Sequence, residues 1–183
     1  MIGKVVARRY ATALFKVGIE DGLAEKYIDE IEAFVNVLES SKELKTCITN
    51  PLFEKKLRGQ ILSNILNRMA ISDITKRFLV LVSEKGRLAY LKDMLEFYRL
   101  LLDDHKGIAR ADLFSAISLS KEAIEKIKNR LKEVTRKQEV ILNIKEDPSL
   151  IGGIVAKIGD VVYDGSIRTQ LNVLKERLRR GEV

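Results

Sequence analysis

The chain has 183 residues, of which 46% are hydrophobic and 32% charged, a mixture typical of a globular protein rather than a disordered one. One cysteine and one histidine exclude an internal disulfide and a zinc site built from several Cys and His ligands. The 33 basic and 26 acidic side chains leave a net charge of +7, and this excess is spread over both halves of the chain. Nucleic-acid binders more often concentrate their charge on one face or tail.

Residues 1–106 have the pattern of consecutive helices. Apolar residues recur there at three- and four-residue spacing, the period of an amphipathic helix. Ser40, three residues before Glu43, has the spacing of a capping box and predicts the start of the short third helix. Ser72 or Asp73 caps the fifth helix, and Gly86 ends it. The predicted helices span 4–20, 23–39, the short segment after Ser40, 54–69, 73–85 and 88–105.

The period changes after Gly107, which is the predicted domain boundary. Apolar residues alternate with polar ones in 108–116 and again in 140–144, as they do in half-buried strands. A hairpin of 154–158 and 161–163 flanks Gly159–Asp160, and helices follow Ser120 and Ser166. We therefore predict an α+β protein with an N-terminal six-helix bundle, 1–106, and a small C-terminal α/β domain, 107–183, that has a short mixed sheet and two helices.

No catalytic or metal site emerges from the sequence, and no cofactor is expected. Gly152–Gly153 lacks the spacing of a phosphate-binding loop and leads into a strand rather than a helix. The run 103–106, Asp-Asp-His-Lys, places consecutive side chains in different directions around a helix, so they do not converge. Asp147, Asp160 and Asp164 lack the spacing of a calcium loop, and roles in turns explain them better.

The first and fifth helices carry more apolar surface than one face of a bundle requires. The first helix has two neighbouring apolar stripes, and the fifth contains the run 78–82, Phe-Leu-Val-Leu-Val, which covers every direction around its axis. One interpretation is burial of both helices in the core. The other is a groove that receives an amphipathic helix of a partner.

The last predicted helix has a narrower apolar stripe, which we call the α8 seam. Its members are Ile167, Leu171, Leu174 and Leu178, which repeat at intervals of four, three and four residues. We expect this seam to pack against the sheet of its own domain, with direct contact to a partner as the alternative.

Three segments resemble a known family, the delta subunits of bacterial F-type ATP synthase, whose mitochondrial relative is the oligomycin-sensitivity-conferring protein. They are 7–15 (ARRYATALF), 78–88 (FLVLVSEKGRL) and 147–154 (DPSLIGGI), the last continued by Gly159–Asp160 and 164–167 (DGSI). The third segment is the most specific. The matching motif residues there are Asp147, Pro148, Gly152, Gly153, Gly159, Asp160, Asp164, Gly165 and Ser166.

The resemblance implies a non-catalytic stator subunit of the peripheral stalk. Such a subunit links the catalytic head to the membrane sector, so that rotor torque is coupled to ATP synthesis driven by proton or sodium ion flow. The N-terminal domain would bind N-terminal helices of the alpha subunits, and the C-terminal domain would bind the C-terminal ends of the b subunits. The resemblance implies an alpha-binding groove at Tyr10, Ala13, Leu14, Phe78, Leu81 and Val82.

We expect the isolated chain to be a monomer, and the resemblance implies one copy of it in each complex. It would lie at the cytoplasmic face of the bacterial cell membrane and be attached through the complex, without inserting into the bilayer and without binding nucleic acid. Two rival functions make different demands on the chain. A nucleotide-handling enzyme would require a phosphate loop or an acid–base cluster, and a basic nucleic-acid module would show strongly salt-dependent binding to any duplex.

Overall fold

The computed structural model describes residues 2–50 and 52–180, and the chain divides into two compact units, Met1–Leu102 and Asp103–Val183. The first unit is helical, and the second combines a sheet with helices. This confirms the predicted α+β class. The division falls within the last turns of the sixth helix, a few residues before Gly107.

The described residues of the first unit form six α-helices, the last of which continues to His105, and a 3-10 turn at Leu88–Tyr90 leads into that helix. Ser72 caps α5 by accepting a hydrogen bond from the Thr75 N–H at 3.4 Å. The predicted cap of α3 is wrong by one residue: Ser41, not Ser40, accepts from Leu44 N–H, because Ser40 is still the last residue of α2. The helices are α1 Ile2–Glu20, α2 Ala24–Ser40, α3 Lys42–Thr49, α4 Lys55–Arg68, α5 Asp73–Glu84 and α6 Leu91–His105.

Large side chains fill the core of the six-helix unit. Tyr98 is buried, and its hydroxyl donates a hydrogen bond to the Ala24 carbonyl at 2.9 Å. The rings of Tyr98 and Phe15 are nearly perpendicular, with centroids 5.5 Å apart. A Cβ at Gly18 would stand 2.7 Å from the Tyr98 hydroxyl, so glycine lets α1 approach this ring closely. The ring of Phe34 is fully buried in the same core.

One buried carboxylate ties α2 to the start of α5. Glu30 accepts hydrogen bonds from the Ser72 N–H at 2.8 Å, from the Ser72 hydroxyl at 2.6 Å and from the Thr75 hydroxyl at 2.5 Å. A carboxylate at a helix N-terminus is favoured by the orphan N–H groups and by the positive end of the helix dipole. Glu30 therefore fixes where α5 begins against α2.

The second unit contains a four-stranded mixed sheet. Its strand order is β2-β1-β3-β4, with β1 parallel to β2 and antiparallel to β3, and with β3 antiparallel to β4. One helix, α7, connects β1 to β2, and the helix α8 follows β4. The elements are β1 Ile108–Ser115, α7 Lys121–Thr135, β2 Glu139–Glu146, β3 Ile154–Ile158, β4 Val161–Asp164 and α8 Ile167–Arg180.

The sheet buries one face against α7. In β1 the buried residues Ala109, Ala111 and Leu113 alternate with Arg110 and the half-buried Asp112, as the period of two predicts. Leu131 of α7 packs into this face together with Val140 of β2 and Ala156 of β3.

The expectation that the α8 seam packs against the sheet is wrong. From Ile167 to Arg180 no residue of α8 is buried, and the four seam residues are 42–58% exposed. Leu131 of α7 packs against the buried face of the sheet, and at the start of α8 the Ile167 N–H donates to the Gly152 carbonyl. The helical period of the seam is confirmed, but its expected partner is not.

Candidate partner-binding surfaces

The apolar run of α5 divides between core and surface. Leu79 and Val82 are fully buried, and Phe78 lies at the edge of the core. Leu81 is 45% exposed, and Val80 lines a cavity of about 250 Å³ between α4 and α5. The run is therefore buried in part, as the core interpretation predicts, while Leu81 is open to solvent and the groove interpretation stays a prediction.

The implied residues of α1 divide in the same way. Leu14 is buried in the core, Tyr10 is half-buried and Ala13 is exposed. The rings of Tyr10 and Phe78 meet edge to face, with centroids 6.3 Å apart, which brings α1 and α5 together. We call Tyr10, Ala13, Phe78 and Leu81 the α1–α5 surface, and Leu14 and Val82 lie in the core below it.

Arg87 is a residue of this region that the sequence did not reveal. Its Nη1 donates a hydrogen bond to the Tyr10 hydroxyl at 2.7 Å, and its guanidinium carbon lies 5.3 Å from the centroid of the Tyr10 ring. Gly86, with φ of +66°, ends α5 and turns the chain so that Arg87 N–H donates back to the Val82 carbonyl at 2.9 Å. The sequence predicted that Gly86 ends the helix, but it did not predict that the Arg87 side chain contacts Tyr10 of α1.

The second unit has an apolar concavity beside its sheet, which we call the α7–β3 groove. It has a volume of about 470 Å³. Arg130 and Asp164 bring charge to it, and α8 begins three residues after Asp164. Its apolar lining is Ile127, Leu131, Val134, Ile154, Ala156 and Tyr163.

The α8 helix combines its exposed seam with a positive charge. It carries five basic side chains and one acidic one, Glu176. At 100° per residue, Lys175 and Arg177 fall on opposite flanks of the seam, and Glu176 falls on the reverse face. This helix can therefore bury apolar side chains against a partner and pair its flanks with acidic groups.

The motif aspartates act in turns, as the sequence suggested. Asp147 accepts a hydrogen bond from the Ser149 N–H at 3.0 Å, and Asp164 accepts from the Ser166 N–H at 2.8 Å and from the Thr169 hydroxyl at 2.8 Å. Hydrogen bonding to Ser149 lowers the pKa of Asp147, and hydrogen bonding to the Ser166 N–H lowers the pKa of Asp164.

The other motif residues lie in the connections around these aspartates. Pro148 begins a 3-10 turn that ends at Leu150. Gly159 and Asp160 form the hairpin turn between β3 and β4, and Gly159 has φ of +57°. Gly152 and Gly153 lie between the 3-10 turn and β3, and Gly165 and the buried Ser166 join β4 to α8.

Within residues 2–50 and 52–180, no group of three or more His, Cys, Asp or Glu side chains is arranged to hold a metal ion. None of the helices in the described part of the chain has the length and apolar character needed to cross a membrane.

The sequence matches proteins of one family over nearly its whole length. The model of the ATP synthase delta (OSCP) subunit family matches residues 6–178. ATP synthase subunit delta of Desulfatibacillum aliphaticivorans is 48% identical over 177 residues, which cover 97% of this chain and 96% of that protein. ATP synthase subunit delta of Geotalea uraniireducens (strain Rf4) is 39% identical over 181 residues, 99% of this chain and 100% of that protein.

Solved structures of ATP synthases contain chains with a similar fold. A chain of the Toxoplasma gondii mitochondrial ATP synthase hexamer aligns with a TM-score of 0.69 at 22% identity and covers 94% of this chain and 96% of its own length. At that identity the likeness concerns the fold alone. A chain in a structure of the Polytomella F-ATP synthase, refined on the F1 head and rotor, is 27% identical with a TM-score of 0.52. The match covers 55% of this chain and 88% of that one.

Proposed function

The chain belongs to the ATP synthase delta (OSCP) subunit family, and from this membership we propose how its two units divide the work of a stator. The protein is a non-catalytic subunit of F-type ATP synthase, a peripheral stalk component that links the F1 head to the membrane sector. In our proposal the six-helix unit binds N-terminal helices of the alpha subunits, and the second unit binds the C-terminal ends of the b subunits.

The observation that carries this proposal is the pair of exposed apolar surfaces, one on each unit. A stator must resist torque, so its contacts must dissociate slowly. Burial of apolar surface contributes about 25 cal/mol per Å² before the costs of association are subtracted, whereas an exposed ion pair contributes about 0–1 kcal/mol. In the isolated chain, Ala13 and Leu81 of the α1–α5 surface and the four residues of the α8 seam are in contact with solvent, whereas Tyr10 is half-buried and Phe78 is buried.

The α1–α5 surface suits a helical partner. Leu81 projects from α5 one turn after Phe78, and Ala13 projects from α1 one turn after Tyr10. Tyr10 supplies an aromatic anchor whose position is set by Arg87, while the small side chain of Ala13 allows close approach of a helix backbone. Leu14 and Val82 act from below, as the core that holds the two helices together.

Calorimetry with a peptide from the N-terminal end of the alpha chain tests this assignment. We expect Leu81→Asp to weaken binding by about tenfold or more, since it places a charge on the apolar surface, with little change in the melting temperature. Ala13→Leu should also block binding by filling the space that the helix needs. Leu100→Asp is the matched control, since Leu100 is an exposed leucine on α6 in the same unit.

Two results would contradict the assignment. If Leu81→Asp and Ala13→Leu both bind as the parent does, the alpha-binding surface lies elsewhere. If both variants unfold the six-helix unit while Leu100→Asp does not, these residues serve the core and the groove interpretation fails.

The α8 seam supports the part of the proposal that concerns the b subunits. Its apolar residues are flanked by basic side chains, so the favoured occupant is an amphipathic helix with acidic residues beside its apolar stripe. The α7–β3 groove offers a second apolar surface in the same unit. In the assembled enzyme the chain would be present in one copy at the cytoplasmic face of the bacterial membrane.

A pull-down with alpha and b subunits separates the two halves of the proposal. A chain truncated after Lys106 should retain alpha binding and lose b binding. The full-length Leu171→Asp variant should also lose b binding. Both of its units should stay folded, because Leu171 is exposed. Equal capture of b by the truncated chain would refute the division, and salt-sensitive capture of any nucleic-acid duplex would favour the rival function, a basic nucleic-acid module.

A further inference from the structure

Backbone hydrogen bonds hold the segment where α8 begins, residues 165–167, which we call the root of α8. Gly165 N–H donates to the Ile154 carbonyl at 2.9 Å, and Ile167 N–H donates to the Gly152 carbonyl at 3.0 Å. Gly153 has φ of +80°, and a Cβ built on it would overlap the carbonyl oxygen of Gly165. No side chain fits between the two segments at this point, so the glycine is required by both its conformation and its surroundings.

The polar side chains of the motif hold the first turn of α8 as well. Asp164 accepts from the Ser166 N–H and from the Thr169 hydroxyl, and the buried Ser166 hydroxyl accepts from the Thr169 N–H at 3.3 Å. These bonds satisfy N–H groups that a helix start leaves without partners. The positive charge of Arg168, also in this turn, acts on Asp147 and lowers its pKa, after the larger effect of the hydrogen bonds from Ser149.

The backbone before Gly152 follows an equally constrained path. Ile151 has φ of +66°, a left-handed conformation that a β-branched residue adopts only under constraint, and its side chain is exposed. A Cβ on Gly152 would collide with the Ile167 side chain, so this strained segment lies directly against the start of the seam.

Beyond this root α8 has little to orient it. No residue from Ile167 to Arg180 is buried, and a helix of 14 residues without tertiary packing is marginally stable in water. The direction of the helix is therefore set by the contacts at its first turn.

We propose that Gly152, Gly153, Asp164 and Ser166 form a clamp that aims α8 away from the sheet and keeps its seam open. The clamp positions the seam for its occupant, so the cost of orienting α8 is met when the chain folds and not when the partner binds. This inference rests on the proposed function for the identity of that occupant, the last helix of a b subunit. Residues outside the seam thereby determine the affinity of the seam for its occupant.

Pulsed electron–electron double resonance on the full chain measures the aim of α8 directly. Spin labels go on Lys126→Cys in α7 and Glu176→Cys on the reverse face of α8, in a background with Cys47→Ser. We expect one narrow distance distribution in the parent and a broadened one in Gly153→Ala. A parent distribution that is already broad, or a Gly153→Ala distribution as narrow as the parent's, overturns the clamp.

Two glycine variants are matched controls. Gly159→Ala imposes a similar left-handed strain, since φ is +57°, but its Cβ would enter open space in the hairpin turn. A Cβ at Gly165 would make an ordinary contact at 3.4 Å with the Ile154 carbonyl oxygen. Both variants should keep the narrow distribution, and broadening in Gly159→Ala equal to that in Gly153→Ala would overturn the clamp, because any weakening of the unit would then suffice.

Calorimetry with a peptide from the C-terminal end of the b chain gives the functional readout. Gly153→Ala should weaken binding by about tenfold, with both control glycine variants near the parent value. If the parent does not bind the peptide, the proposed function fails while the distance measurement still decides the clamp. If Gly153→Ala unfolds the sheet, Asp164→Ala replaces it: broadening supports the clamp, and a narrow distribution overturns it.

Discussion

The six-helix unit and the sheet-containing unit differ most in what fills their cores. The buried residues of the first include Tyr27, Phe34 and Tyr98 along with many long aliphatic side chains. In the second, three of the six buried apolar residues within the described chain are alanines, and the exposed α8 seam carries four large ones. Since apolar burial is the main favourable term in folding, the first unit is stabilised by its own core, whereas the second leaves much of its apolar surface exposed to solvent.

The same Leu→Ala substitution in the core of each unit should give the largest effect on stability and tests this comparison. Leu79 and Leu113 are both fully buried, and a buried Leu→Ala substitution costs about 2–5 kcal/mol. In the small core around Leu113 that loss approaches the whole stability of a small domain, so Leu113→Ala should unfold the sheet unit alone. Leu79→Ala should lower the stability of the six-helix unit and leave it folded.

Amide hydrogen exchange resolved by residue checks this prediction, because β1 and α2 report separately on the two units. Parent-like protection of the β1 amides in Leu113→Ala would show that the second unit is more robust than its core suggests.

The buried carboxylate of the first unit gives the next largest effect. Glu30→Ala leaves the Ser72 and Thr75 donors without their acceptor, which costs about 1–3 kcal/mol. Glu32, on the same helix, pairs with Arg99 at 2.7 Å while exposed, and its removal should cost about 0–1 kcal/mol. Urea unfolding measures the free energy of unfolding of both variants. If the two variants lose equal amounts, Glu30 contributes no more to stability than a surface charge does.

Local sequence signals predicted the elements well. The switch from helical to strand period after Gly107 and the hairpin at Gly159–Asp160 both appear in the structure. The caps at Ser72 and Ser120 do so too, because capping depends on residues three positions apart. Ser40 and Ser41 could not be distinguished in this way, since adjacent serines offer the same side-chain acceptor.

Periodicity predicts which residues share a face of a helix, but it could not predict which residues pack against that face. The seam at Ile167 and Leu171 was visible, but a stripe shows only that something apolar should cover it, not whether the cover belongs to the same chain. Arg87 illustrates the same limit: its partner Tyr10 is 77 residues away in sequence, and no local pattern connects them. The α1–α5 surface was implied by resemblance, and its division between core and surface required the fold.

Substitution on the α8 seam should affect stability little and binding strongly. Leu174 is 54% exposed, so Leu174→Asp should change the stability of the isolated chain by no more than about 0.5 kcal/mol. Leu131→Asp is the contrasting variant, because it places a charge on the face of α7 that is buried against the sheet, and it should unfold the sheet unit. Thermal melting of both variants tests the exposure of the seam, and a large loss in Leu174→Asp would mean that the seam packs on its own sheet in solution.

The smallest expected effect is a dependence of the second unit's stability on pH through Asp147 and Asp164. The pKa of Asp164 is lowered by hydrogen bonding to the Ser166 N–H, and that of Asp147 by hydrogen bonding to Ser149, so the folded unit binds fewer protons than the unfolded chain near the ordinary aspartate pKa. Their contribution to stability is present above that ordinary pKa and is lost as the pH falls through the lowered values. The effect is small because solvent screens exposed carboxylates. Melting of the sheet unit, followed from neutral pH to below the ordinary aspartate pKa, should show a shallower acid loss in Asp164→Asn than in the parent. Identical acid profiles would mean that the carboxylate charge does not contribute to holding the root of α8.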